Sequence, residues 1–284
     1  MSVATFIPTL WAARLLRQLE RSHVYAQAGV VNRDYEGEIR QKGDTVRINT
    51  IGSITIGDYT GADIGAPEEL ATTPQDLVIT EAKFYNFKVD DVDKAQAAGQ
   101  LMGPAVQEAS YGLSDLLDVH VAAHYVNADA GNLVGTGAAA ITIASPADAY
   151  DHLVELSVKL DEANVPEAGR SVIIPAWFAG MLAKDTRLID NVPGLVANGL
   201  VGMVDRLKVM RSNNVPVVTS TEGTPRPVSK IIALHPLAIS VAEQIVNSEA
   251  YRPQGLFADA VKGLHVYGSQ TVRPEAIAVG TVGV

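Results

Sequence analysis

Residues 92–126, VDKAQAAGQLMGPAVQEASYGLSDLLDVHVAAHYV, decide how the rest of the chain is read. Ala98, Leu101, Ala105, Ala109, Leu113, Leu116 and His120 recur every three or four residues, the period of one helical face. The spacing predicts one continuous apolar stripe. At 1.5 Å per residue, a helix over the whole stretch spans roughly 50 Å, longer than most helices of globular proteins. Gly103-Pro104 interrupts it, because proline lacks the N–H of the helical ladder and its ring crowds the preceding turn. Either the helix kinks there, or a short helix ends near Met102 and the main one starts with Pro104 in its first turn.

Immediately upstream, residues 43–89 read as strands. Val46, Ile48 and Thr50, then Ile54 and Ile56, alternate with polar residues, and a second alternating run extends from Leu77 to Val89. Between them lies a turn-rich tip, GDYTGADIGAPEELATTPQD. The simplest assembly is a long two-stranded hairpin. Fifteen strand residues reach about 50 Å, whereas a compact body of this length has a radius of gyration near 19 Å by chain-length scaling, roughly. The ribbon therefore projects, and a lone ribbon is marginal in water. No later stretch is visibly reserved to cover it, so the expected neighbour is another copy of the chain. Between Ile48 and Ala82 stand Asp58, Asp63, Glu68, Glu69, Asp76 and Glu81 with no Lys, Arg or His. That charge either keeps a loop solvated or steers it toward a basic patch on a neighbour. Asp90, Asp91 and Asp93 follow where the run ends, a placement that suits a helix N-terminus without any ligand.

From Thr9 to Gln27, Trp11, Leu15, Leu19 and Ser22 share one face and Arg14, Arg17 and Arg21 another, an amphipathic helix pattern. It fits docking on protein better than a membrane surface, since only three basic residues line its polar side. NRDYEGEIRQK (32–42) reads as a surface connector. Beyond the long helix a short strand is expected at Ile141–Ala144. Then Ser145, Pro146 and Asp148 spell a capping box, with Ala149, Leu153, Leu156, Leu160 and Ala163 as the buried stripe. Ser171–Ile174 reads as a buried strand and Pro175–Lys184 as a short helix. Arg206–Met210, Val215–Thr219 and Lys230–Leu234 read as strands, Pro236–Ile245 as a helix, and Gly263–Val282 as two strands around Arg273-Pro274. The pattern is α+β, not regular βαβ alternation.

The 284 residues suffice for one large domain or two modest ones, and no apolar run approaches the ~20 residues of a membrane span. The start shows no basic region, apolar stretch and small-residue cleavage site, which points to a cytoplasm. With no cysteine, disulfides and thiolate chemistry are excluded. A formal charge of −10 argues against a protein that wraps nucleic acid by neutralising phosphates. The glycines at 131, 135 and 137 match neither a phosphate loop nor a dinucleotide fingerprint, and no GxSxG elbow occurs. His120 and His124 have metal-ligand spacing but lack the glutamate of a zinc hydrolase, which favours a packed or solvated pair. His152, His235 and His265 stand singly. No catalytic, cofactor or metal site assembles.

Four stretches carry a resemblance: VVNRDYEGEIRQKGDTVRI (30–48), VDDVDKAQAAGQLM (89–102), RSVIIPAWFAGMLAKD (170–185) and FADAVKGLHVYGSQTVRPEAIA (257–278). In this order, over nearly the whole chain, the sequence resembles the major capsid (coat) proteins of tailed bacteriophages. Their Hong Kong 97 capsid fold is shared by encapsulins and the herpesvirus shell.

The resemblance implies a shell protein, not an enzyme, that assembles with copies of itself as hexamers and pentamers into an icosahedral capsid around double-stranded DNA. It implies an N-terminal arm (1–36), an extended loop (37–83), a peripheral domain (84–144 and 247–284) with spine helix 92–126, and an axial domain (145–246). Subunit contacts are then expected at Trp11, Arg14, Arg17, Ile54, Ile56, Tyr59, Asp63, Glu68 and Glu69, with Gly103 and Pro104 as a hinge. Some members weld their shells through a loop lysine, but none lies between Lys42 and Lys83, so arm and loop overlap should hold this shell without covalent bonds. No long scaffold segment precedes the arm, so a separate scaffolding protein is expected, with a portal and a possible decoration protein. DNA contact is weak and non-specific, and no membrane is involved. The implied location is the virion, assembled in the host bacterial cytoplasm. An encapsulin-like compartment around a protein cargo is the alternative.

Overall fold

The computed structural model describes residues 23–35, 42–51, 56, 69, 72–90, 102–185, 200–221, 225–255 and 257–283. Strands β1 (Thr45–Ile51), β2 (Thr72–Val78) and β3 (Glu81–Asp90) precede the long helix α1 (Met102–Ala122). The short β4 (Leu133–Val134) and β5 (Ile141–Thr142) lead into α2 (Pro146–Glu162), β6 (Ser171–Ile174) and α3 (Ala176–Leu182). Then come β7 (Leu200–Val204), β8 (Leu207–Arg211), β9 (Val217–Thr219), β10 (Pro227–Leu234), β11 (Ile239–Tyr251), β12 (Ala258–Thr271) and β13 (Ile277–Gly283). The architecture is α+β, with mostly antiparallel pairing in three sheets.

The largest sheet has the order β4-β13-β10-β6-β8-β7, with β5 joined to β13 and β9 to β10. Its inner strand β6, SVII, is buried at every position, as an uninterrupted apolar run predicts. Helix α2 starts as its sequence dictates. The Asp148 N–H donates to Ser145 Oγ at 3.2 Å, while the Asp148 carboxylate accepts the Ser145 N–H at 2.8 Å. Ala149, Leu153, Leu156 and Leu160 are buried, each leucine contributing about 1.5–3 kcal/mol. Ala163, expected in the same stripe, is the C-cap. Behind this helix Arg170 is buried, and its guanidinium binds the end of the helix and the loop after it. Nε donates to Pro166 O at 3.0 Å, Nη2 to Val165 O at 2.6 Å, and Nη1 lies 2.7 Å from Asp161 Oδ1.

The expected long second run of the hairpin is two strands in two sheets. β2 pairs with β1 antiparallel from Thr45 opposite Val78 to Ile51 opposite Thr72. After Ile79 and Thr80 the chain passes into β3, which pairs with β12 along its whole length in a sheet of order β11-β12-β3. Gly43 and Ile79 close the base of the ribbon, the Gly43 N–H donating to Ile79 O at 3.0 Å. Alternation carries straight through Ile79-Thr80, so the change of partner leaves no mark in the sequence pattern. The base of the ribbon is also covered by its own chain, contrary to expectation. Val46, Ile48, Leu77 and Ile79 form a cluster with Ala242 of β11 and Val266 of β12. The crossing is tight: a Cβ on Gly268 of β12 would strike the backbone carbonyl of Val78 and approach Ile79 Cα to 3.0 Å. Gly268→Ala should therefore destabilise the fold by about 1–3 kcal/mol. Gly112→Ala, where a Cβ meets nothing within 4 Å on a helix, should be neutral or stabilising by up to about 1 kcal/mol. Urea midpoints of the two variants check the contrast.

Residues 236–245, expected as a helix, are a turn followed by a strand. The Ala238 N–H donates to His235 O at 2.9 Å, and β11 runs from Ile239 against β12 for most of its length. Pro236 serves a turn as readily as a first helical position, and β-branched Ile239 and Val241 favour the ladder that β12 offers. Asp90 closes β3 opposite Ala258, and Asp91 and Asp93, where a helix start was expected, lie outside the described residues. At the other end, residues 24–27 are bends, not the last turn of the helix expected over Thr9–Gln27, whose first fourteen residues lie outside the described ones.

Helix α1 begins at Met102, with Gly103 and Pro104 in its first turn, the start that the second sequence reading gives the main helix; the short helix expected before it lies outside the described residues. Ala98 and Leu101 lie outside the described residues. The buried face is rotated from the expected stripe. Leu113, Leu117 and Val121 are buried together with Ser110, Ser114 and Asp118, whereas Leu116 keeps 44% of its surface exposed.

Candidate functional site: the arm junction

Polar groups on the inner face of α1 meet residues 23–26, the first described stretch of the chain. Asp118 presents its carboxylate to three successive backbone donors. The N–H groups of Val24, Tyr25 and Ala26 donate to it at 2.8, 3.1 and 3.0 Å. One turn earlier, Ser114 Oγ lies 2.9 Å from His23 Nδ1. Charge-assisted bonds to buried N–H groups are among the stronger ones in proteins, because each would otherwise remain desolvated and unpaired. The arm is thus gripped by its backbone.

Glu243 of β11 forms the other jaw. Arg33 donates to its Oε1, and His265 Nε2 of β12 lies 3.0 Å from its Oε2. His23 Nε2 is 3.3 Å from Oε1, close enough for attraction but outside hydrogen-bond alignment. Arg33 also donates to Ala26 O at 3.0 Å, folding the segment over itself. Asn32 then joins the sheet, its N–H donating to Ile239 O at 2.9 Å and its carbonyl accepting the Val241 N–H at 2.8 Å. His23, Asp118, Glu243 and His265 are all buried. The site joins arm, long helix and sheet through charges in a poorly solvated setting, where both pairing and loss of a partner carry high energies. Burial, and then the charge of Asp118, push the Tyr25 hydroxyl well above its ordinary range.

Sequence reasoning found His265 only as a solitary histidine and missed His23, Asp118 and Glu243. One signal was available: Ser110, Ser114 and Asp118 recur every four residues beside the apolar positions of α1. The sequence-derived contact residues are not brought together among the described residues. Trp11, Arg14, Arg17, Ile54, Tyr59, Asp63 and Glu68 lie outside them, while Ile56 is 95% exposed and Glu69 is exposed.

Of the two histidines, His120 in α1 and His124 in the turn after it, His124 is drawn into hydroxyl contacts. His124 Nε2 lies 2.6 Å from Ser269 Oγ and Nδ1 lies 2.9 Å from Thr271 Oγ1. His120 packs edge-on to Tyr267 at 5.3 Å. With both nitrogens of His124 engaged, no lone pair faces a metal. No carboxylate orients the His124–Ser269 pair, and burial, aided by His120, holds His124 down to about 4, a poor base near neutrality. Among the described residues no group of three or more potential ligands could hold a metal ion.

His152 and His265 are likewise held down to about 4 by burial, His265 also by the charges of His23 and Arg33. These three histidines ordinarily titrate near 6.5. Each therefore binds its proton more tightly when unfolded. Stability should be unaffected by them above about 6.5, fall as pH drops toward about 4, and level off below. Urea midpoints between pH 7.5 and 4 measure this, and a flat profile contradicts it.

No protein-family model matches the chain, and no curated protein does. Solved structures do. A chain of Mycobacterium phage Che8 is similar with a TM-score of 0.68 and 29% identity, over 91% of this chain and 90% of that one. The capsid of the cyanophage P-SCSP1u gives a TM-score of 0.68 at 14% identity, over 89% and 86%. An encapsulin complex of Synechococcus elongatus gives 0.56 at 12% identity, over 85% and 82%. The fold is the capsid fold of Hong Kong 97 type. Within it, phage capsids dominate the likenesses over compartment shells.

Proposed function

We propose that the chain is the major capsid protein of a tailed bacteriophage, a shell subunit that assembles as pentamers and hexamers into an icosahedral capsid enclosing double-stranded DNA. The observation that carries this is the likeness to a phage chain over nine-tenths of both lengths at 29% identity, on a capsid fold. The β1–β2 ribbon supports it, because only its inner face packs on β11 and β12, while Arg47, Asp76 and Val78 stay exposed for a neighbouring subunit. The role is structural, without catalysis or cofactor.

The proposed parts are arm 1–36, extended loop 37–83, peripheral domain 84–144 and 247–284, and axial domain 145–246. β13 lies in the large sheet between β4 and β10, so the proposed axial body shares its sheet with residues 277–283. Trp11, Arg14, Arg17, Ile54, Ile56, Tyr59, Asp63, Glu68 and Glu69 are the proposed subunit contacts. Stabilisation is non-covalent, a separate scaffolding protein and a portal assist assembly, and assembly takes place in the host cytoplasm before the chain becomes part of the virion. The first turn of α1 is the proposed hinge. Pro104→Ala should alter shell expansion or curvature, and unchanged assembly and expansion would show the break to be merely tolerated.

Sedimentation of the expressed protein, followed by assay of particle contents, tests the reading. Large particles that package or eject DNA during infection support it; particles filled with one enzyme species would move the chain to the compartment shells.

A further inference from the structure

Helix α1 carries apolar residues on two sides. Its protein-facing side holds Leu113, Leu117 and Val121 together with Ser110, Ser114 and Asp118, whereas Ala109, Gly112, Leu116, Val119, Ala123 and Val126 lie on its outer side, the last two in the turn that follows the helix. Leu116, Val119 and Val126 keep 44%, 49% and 67% of their surface exposed. The intervals of three and four residues are those of a seam made to receive a second helix. A helix whose inner face is already packed and whose outer face still exposes Leu116 and Val119 is missing a cover on that outer side.

We propose that the cover is residues 9–22 of the same chain, an amphipathic helix lying antiparallel on the outer seam of α1. Leu19 sits against Leu116 and Leu15 against Val119, which leaves Trp11 at the far end, with Arg14 and Arg17, for the neighbouring subunit. The described chain starts at the right place, with His23 Nδ1 2.9 Å from Ser114 Oγ halfway along α1. Fourteen helical residues reach about 21 Å, and Ser114 to Val126 spans about 18 Å, so the segment covers this half of the seam without spare length. Its charge suits the body it lies on. Residues 1–22 hold Arg14, Arg17 and Arg21 against Glu20 alone, on a chain whose net charge is −10. Attachment at His23 raises the effective concentration of the segment to about the millimolar range, which favours its own subunit over a neighbour. The inference does not depend on the shell reading.

The chain has no cysteine, so Leu15→Cys with Val119→Cys introduces a single thiol pair. Oxidation should give a faster-migrating monomer on non-reducing gels, in dilute protein and in assembled particles alike. Dimers and ladders would assign the seam to a neighbouring copy and overturn the proposal, as would the absence of any cross-link. Particle formation is scored in the same samples, so intact shells without the intramolecular bond count against this inference alone. Val119→Asp, at an exposed position, supplies a second measurement. Trypsin cleavage after Arg14, Arg17 and Arg21 should accelerate by about tenfold, and an unchanged rate contradicts the docked segment.

Discussion

Asp118→Ala should destabilise the folded chain by about 3–5 kcal/mol and free residues 23–27. The carboxylate accepts three consecutive backbone N–H groups, and the protein at Asp118 and Tyr25 is almost dry. Deleting it leaves three donors without an acceptor and removes one of the two carboxylates beside His23, 3.7 Å away. Asp118→Asn keeps the shape and one acceptor, so it should lose less. Urea unfolding gives the stability change, and proteolysis around residues 23–27 reports release of the segment. If alanine shifts the midpoint by less than about 1 kcal/mol, solvent reaches these donors and the grip is weaker than its geometry implies.

Arg170→Met should cost about 2–4 kcal/mol, and Arg170→Lys should recover little of it. The methionine removes the donors that hold the carbonyls of Val165 and Pro166, and leaves incompletely filled space beneath α2. The bond to Asp161 is discounted, because that carboxylate is 43% exposed and water can replace the guanidinium. A lysine fails for geometric reasons: its single ammonium cannot reach, as a planar fork does, acceptors on both the helix and the loop. The same denaturation experiment checks both variants, and equal stability of the lysine variant and the native chain contradicts this role.

These residues show where the sequence is informative. The start of α2 was legible because Ser145, Pro146 and Asp148 satisfy orphan N–H groups locally, and β6 because SVII can be buried on both faces. Helix α1 was legible in existence and starting point, since Pro104 tolerates only a first turn. Its orientation was not: small and apolar residues occupy both sides, and a periodicity argument assumes that apolar means inward. The polar inner face makes sense only against His23 and the backbone of residues 24–26, about ninety positions away. Strand β11 was misread for a similar reason. A stretch opening with proline and mixing Ala, Ile and Val fits a helix locally, and β12 alone decides otherwise. Glu243 and Arg33, separated by 210 positions, share no local pattern at all. The seam on α1 was partly visible in Ala109 and Leu116, but it was assigned to the core instead of to a partner.

The central claim is that this chain is a shell subunit whose isolated state is incomplete. Cryo-electron microscopy of the purified protein, alone and co-expressed with the proposed scaffolding protein, tests it most directly. Closed icosahedral shells are expected, built of pentamers and hexamers with the β1–β2 ribbon of each subunit lying on a neighbour. A persistent monomer at high concentration under both conditions would contradict the account.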